Sequence, residues 1–142
     1  MGITPSPETA AEIGAMILPF VQENYGMTLD YGVYSLRQVD GIIDDLRRDH
    51  SIEDAQALLF SFGCYVGEVL VRRAKGRWCT TESLGMTGVA SAPIVVRMPD
   101  GRGCNPVGKV YKRFQNGPED SLAGFYQVMA EAPPERLGPT RK

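Results

Sequence analysis

The 142-residue chain predicts an α+β domain, mostly helical, with about five helices and a small antiparallel sheet of two or three strands between the third and fourth. Three observations predict it. Apolar residues recur at helical spacing through the first half of the chain and again after residue 105. Between those halves lie two short runs, "RWCTTE" and "PIVVRM", rich in β-branched or aromatic residues and bounded by Gly, Ser and Pro. The order of helices, then strands, then helices segregates the two kinds of element, as α+β architectures do. With 43% hydrophobic and 23% charged residues, the composition fits one globular domain. That domain is expected over residues 7–132, with flexible ends at 1–6 and 133–142.

The elements follow in order. Pro7, Glu8 and Thr9 begin the first helix, and Ile13, Met16, Ile17, Phe20 and Val21 give it an apolar face. Pro19 lies inside that pattern and predicts a kink or a break. Gly26 ends the element. Ser35 is a suitable N-cap for the second helix, whose stripe is Leu36, Val39, Ile42, Ile43 and Leu46. Asp40, Asp44, Asp45 and Asp49, with Arg37, Arg47 and Arg48 among them, read as its solvated face. Ser51 caps the third helix with Asp54 three positions on, in the manner of a capping box. Its apolar residues run from Leu58 to Leu70, and Gly76 is placed to close it. The two strands must lie on the helices, because a lone pair of strands is marginal. "PDG" at 99–101 is a turn. Asn105 and Pro106 read as N-cap and first residue of the fourth helix, with Val107, Val110, Tyr111 and Phe114 inward and Lys109, Lys112 and Arg113 outward. Asn116-Gly117 stops it. Pro118-Glu119-Asp120 opens the fifth, buried through Leu122, Phe125, Tyr126 and Met129.

Several chemistries are disfavoured. "GCNPVGKV" has the outline of a phosphate-binding loop, G-x-x-x-x-G-K, between a strand and a helix. Val110 stands where Ser or Thr would ligate magnesium, and Pro106 removes an N–H from the cradle. A turn with a helix cap is the better reading, leaving Lys109 solvated. Cys64, Cys79 and Cys104 are odd in number and widely spaced, and His50 is the single histidine, so neither a disulfide framework nor a zinc site is expected. No cofactor is indicated. The carboxylate pairs Asp40/Asp44 and Asp45/Asp49 lack a second motif that would complete a site. "MGITPSPETAAE" carries no secretory leader pattern, and the apolar window of residues 55–71 is shorter than a bilayer span. A cytoplasmic protein without a membrane segment is expected.

Charge is distributed unevenly. Residues 8–54 hold ten acids and three bases, whereas residues 72–113 hold nine bases and two acids. The two blocks can face each other in the fold, or the basic one can present a surface for phosphate or an acidic partner. Mutual neutralisation is the favoured reading.

The stretch "SFGCYVGEVLVRRAKGRW" concentrates the candidates. Gly63 and Gly67 lie one turn apart, and each costs a helix ~1 kcal/mol relative to alanine. Close approach of another element is the expected reason. Glu68 stands among apolar neighbours with Arg72 four residues on, the favourable orientation for an ion pair. The pattern Gly63-x-Tyr65-x-Gly67-Glu68-x, then Gly76-x-Trp78, resembles a segment of small uncharacterised bacterial proteins, a domain of unknown function, in which G-x-Y-x-G-E-x-[VIL] precedes G-x-W. The resemblance covers about residues 35–129 and implies a bacterial source, with no activity attached. The expected role is that of a non-catalytic domain that binds another protein or a ligand, through Tyr65, Glu68, Arg72 and Trp78 together with Lys109, Lys112 and Arg113. Phosphate or nucleic-acid binding by the basic 72–113 block is the first alternative, with Trp78 and Tyr111 as stacking groups. An enzyme using Glu68 as acid or base is the second.

Overall fold

The apolar stretch after Ser51 becomes the axis on which the other elements are laid. The structure is a computed structural model that describes residues 2–131, so the tail predicted at 133–142 lies outside the described residues. Among the described residues, six α-helices and a three-stranded sheet run in the order α1 (Ala10–Ala15), α2 (Ile17–Tyr25), α3 (Ser35–Asp49), α4 (Ile52–Ala74), β1 (Arg77–Thr80), β2 (Ile94–Arg97), β3 (Gly103–Cys104), α5 (Pro106–Asn116) and α6 (Leu122–Ala130). The α+β class and the small antiparallel sheet are as expected. Because the first predicted helix forms as two, the sheet falls between the fourth and fifth helices.

That break comes at Met16, three residues before Pro19. Proline has no N–H for the carbonyl four residues back, Ala15, and its ring crowds that carbonyl. The first helix therefore ends at Ala15, and Pro19 sits in the first turn of α2, where a missing N–H costs nothing. Upstream, Ser6 and Thr9 hold α1 reciprocally. The Thr9 N–H donates to Ser6 Oγ at 3.2 Å, and the Ser6 N–H donates to Thr9 Oγ1 at 2.9 Å.

Ten consecutive residues of α4, Ser61 to Leu70, are buried. A helix buried all round is a core helix. It is long and apolar enough to cross a membrane, yet 67% of its apolar window is covered by the rest of the fold. Glycines set the distances at which its neighbours cross. A Cβ on Gly14 of α1 would stand 2.9 Å from the Tyr65 backbone nitrogen, and one on Gly63 would stand 2.6 Å from Val107 Cα of α5. Ser51 caps α4 as predicted, accepting the Asp54 N–H at 3.1 Å. Its other end differs from expectation. Lys75, not Gly76, takes the left-handed conformation, at φ 64°. Gly76 is instead required for packing, since a Cβ there would lie 2.7 Å from Val96 Cγ1.

The sheet order is β1-β2-β3, antiparallel throughout, with Trp78 opposite Val96 and Cys104 opposite Val96 on the other side. Ile94, Val95 and Val96 are all buried, so both faces of β2 are covered. One face joins Leu70 of α4. Beside it, Leu84 and Met86 of the loop after β1 reach over Gly103 of β3.

Two predicted helix starts move. Ser35 is the first residue of α3 rather than its cap, because its hydroxyl donates to the Gly32 carbonyl and meets the Tyr65 hydroxyl at 2.7 Å. Pro118–Asp120 forms one 3-10 turn, and α6 begins after Ser121, whose Oγ accepts the Gly124 N–H.

Candidate functional site

The predicted site residues separate into three places. The first is the far half of α4. Glu68 is 5% exposed, and each carboxylate oxygen has its own donor. Arg72 Nε donates to Oε1 at 3.0 Å, and Trp78 Nε1 donates to Oε2 at 2.8 Å. Gly67 gives the indole its place: a Cβ there would overlap Trp78. The Arg72 guanidinium lies 3.7 Å above the Tyr31 ring, which stacks on Tyr65 at 4.7 Å between centroids. The Tyr65 hydroxyl accepts the Tyr31 N–H at 2.8 Å, and burial raises its pKa. Tyr65, Glu68, Arg72 and Trp78 are thus brought together, with Tyr31 as a fifth member that periodicity does not reveal. Tyr31 is held at φ 63° in the turn before α3, and no spacing rule connects that turn to α4.

This cluster is a latch between α4, β1 and the turn before α3. Its one buried carboxylate has a donor of the fold on each oxygen, and it lines none of the grooves described below. An acid–base role needs a carboxylate within reach of a substrate proton. Glu68 as acid or base therefore has no geometry to support it.

The second place corrects an expectation. Arg113 was expected on the wet side of its helix, but it is 3% exposed. Its Nε donates to Asp40 Oδ1 at 2.8 Å, and its terminal nitrogens donate to the two Asp44 oxygens at 2.7 and 3.0 Å. The i,i+4 pair that read as a solvated face is the binding fork for a buried arginine. Asp40 also accepts the Leu122 N–H at 2.9 Å and the Ala123 N–H at 3.3 Å, capping α6. The Arg113 hydrogen bonds lower the pKa of Asp44. Here the acidic and basic blocks do meet.

The third place is an open groove of about 470 Å³ between the 86–91 loop, α5 and α6. Its walls include Met86, Val89, Phe125 and Met129, and Lys109 and Lys112 reach it from α5. Val89 is 80% exposed. Among the described residues no acidic side chain lines this groove. Lys112 is exposed, whereas Lys109 is not free in solvent as expected: its Nζ donates to Asp120 Oδ1 at 2.8 Å. The motif that outlines a phosphate loop is a capped helix start, with Asn105 Oδ1 accepting the Gly108 N–H at 3.0 Å. A neighbouring groove of about 430 Å³ shares Ser91, Tyr111 and Gln115 and runs on to Glu53 of α4.

The cysteines offer no nucleophile in this groove. Burial pushes the Cys104 thiol up to about 12, and the Cys64 thiol likewise. Such thiols are protonated at neutral pH and chemically inert. Among the described residues no three His, Cys, Asp or Glu side chains are grouped to hold a metal. Comparison of the chain with protein families, with curated proteins and with solved structures gave no match, so the geometry of these three places carries the functional argument.

Proposed function

We propose that the chain is a non-catalytic binding domain of a bacterial cytoplasmic protein, and that its groove between the 86–91 loop, α5 and α6 holds an acidic, partly apolar segment of a partner protein. One observation carries the reading. The groove sets two lysines among methionine, valine and phenylalanine side chains, with no acid lining it among the described residues. Methionine adapts its shape to an incoming apolar side chain. Lys112 has the exposure to meet a carboxylate. The groove continues over Tyr111 into its neighbour, giving an extended segment room to lie.

A labelled acidic peptide with alternating Glu and Leu residues tests this by fluorescence anisotropy. Lys112→Glu reverses the charge at an exposed position and should weaken binding about tenfold, or ~1.4 kcal/mol. Equal affinity for a peptide with Lys in place of Glu would overturn the proposal, as would binding indifferent to Lys112→Glu.

A second reading has its own observation. Arg77 of β1 and Arg97 of β2 are direct cross-strand partners, and both are exposed. Like charges placed opposite each other destabilise a strand pair, and a bound phosphate would relieve that repulsion. On this reading a single-stranded oligonucleotide binds with an affinity that falls steeply with salt. Absence of binding at low salt would retire it.

A further inference from the structure

The exposed face of α3 is self-complementary, and we infer that two copies of this chain associate through it, antiparallel, about a two-fold axis at Gly41. At 3.6 residues per turn, Tyr34, Arg37, Gly41, Asp44, Asp45 and Arg48 share one side of that helix. Counted from Gly41, Arg37 lies four residues before and Asp45 four after, while Tyr34 lies seven before and Arg48 seven after. A two-fold axis through Gly41 therefore sets Arg37 of one copy level with Asp44 and Asp45 of the other. It also sets Tyr34 level with Arg48. Each contact is made twice, as an isologous interface requires.

The described groups fit this pairing. Tyr34 is 70% exposed, large and apolar, and an arginine opposite its ring adds a cation–π contact. Arg37 is exposed and lies at the meeting of two open grooves of about 640 and 460 Å³, one on each flank of α3. Asp45 is 42% exposed at its side chain and holds Arg48 at 2.7 Å and the Tyr25 hydroxyl at 2.6 Å, so its carboxylate is fixed in position and open to a further cation. Gly41 lies in mid-helix, where glycine weakens the helix relative to alanine. A Cβ there would meet nothing within 4 Å, so no neighbour in the same chain requires the glycine. At the crossing point of two helices it permits the closest approach. A second copy is the occupant because the charges on this one face already complement themselves.

The test reads association and geometry separately. Sedimentation equilibrium of the full chain should show a monomer–dimer equilibrium that weakens with salt. Arg37→Glu places like charges level across the axis and should weaken the dimer about tenfold or more. In a Cys79→Ala background, Gly41→Cys should form a disulfide-linked dimer under mild oxidation, because residue 41 faces itself on the axis. Lys112→Cys in the same background should not. A chain that stays monomeric up to millimolar concentration and gives no cross-link at residue 41 overturns the proposal. So does a dimer indifferent to Arg37→Glu, or one cross-linked equally well at position 112.

Discussion

Glu68 has an N–H donor on each of its two oxygens, and that decides what replacing it costs. Gln in its place can still accept from Trp78, but its amide opposes Arg72 Nε donor to donor. Hydrogen bonds to a charged group are worth ~1.5–3 kcal/mol, so Glu68→Gln should lower unfolding stability by about 1–3 kcal/mol. Trp78 is the single tryptophan, and its fluorescence should shift in the folded state as the latch loosens. A fold as stable as wild type with unchanged fluorescence would mean that the latch contributes nothing. Two helical glycines provide a matched contrast. Gly67 faces the Trp78 ring, so Gly67→Ala must displace the indole at a cost of about 1–3 kcal/mol. Gly41 has open space at its Cβ, so Gly41→Ala should stabilise the monomer by up to ~1 kcal/mol. Urea midpoints of the two variants should move in opposite directions.

The short α6 illustrates how an element with little burial is kept in place. Leu122 is its single buried residue. Asp40 takes the N–H groups at its start, and Arg102 donates to the carbonyls of Val128, Met129 and Glu131 at its end, at 3.3, 2.9 and 2.6 Å. Arg102→Ala should therefore raise amide hydrogen exchange across residues 122–131 and leave α4 protected. Uniform exchange throughout would refute the clamp. At the end of α4, Lys75→Gly should stabilise by about 0.5–1 kcal/mol, because lysine is strained at positive φ. These elements also mark what the sequence makes legible. Caps at Ser51 and Asn105, the stripe of α3 and the continuous core of α4 are local patterns, and all are readable. Arg113 departs from its expected place because its partner lies 73 residues away, and Ser35 because the Tyr65 hydroxyl, 30 residues on, joins the nearby Gly32 carbonyl in holding its side chain. Periodicity places a residue on a face, but it does not say whether a second element will cover that face. The candidate site suffered most from this limit: Tyr65 and Glu68 stand out in the sequence for structural reasons, while the groove is assembled from three separate segments.

At the scale of the whole molecule, the acidic and basic blocks are joined where Arg113 enters the fork of Asp40 and Asp44, which also caps α6. That junction gives stability a pH dependence of definite sign. The Arg113 hydrogen bonds hold the Asp44 carboxyl below its ordinary value, so in the folded state it stays ionised at a pH where the unfolded chain has begun to take up protons. The stability gained is fully present above the unfolded carboxylate pKa of ~3.9, and it is lost as pH falls through the lower folded value. The urea midpoint should thus be flat from neutrality to about pH 5 and fall below that. Asp44 is 36% exposed at its side chain, so solvent screening limits its part to roughly 1 kcal/mol or less. Asp44→Asn removes the titrating group while keeping one acceptor for Arg113. It should lower stability at pH 7, and the difference from wild type should shrink as pH falls through the lowered folded value of Asp44, below which both side chains are neutral. A difference that is the same at pH 7 and pH 2 would show that the loss comes from packing around α3 and α5, and that the two charge blocks are not held together through this ion pair.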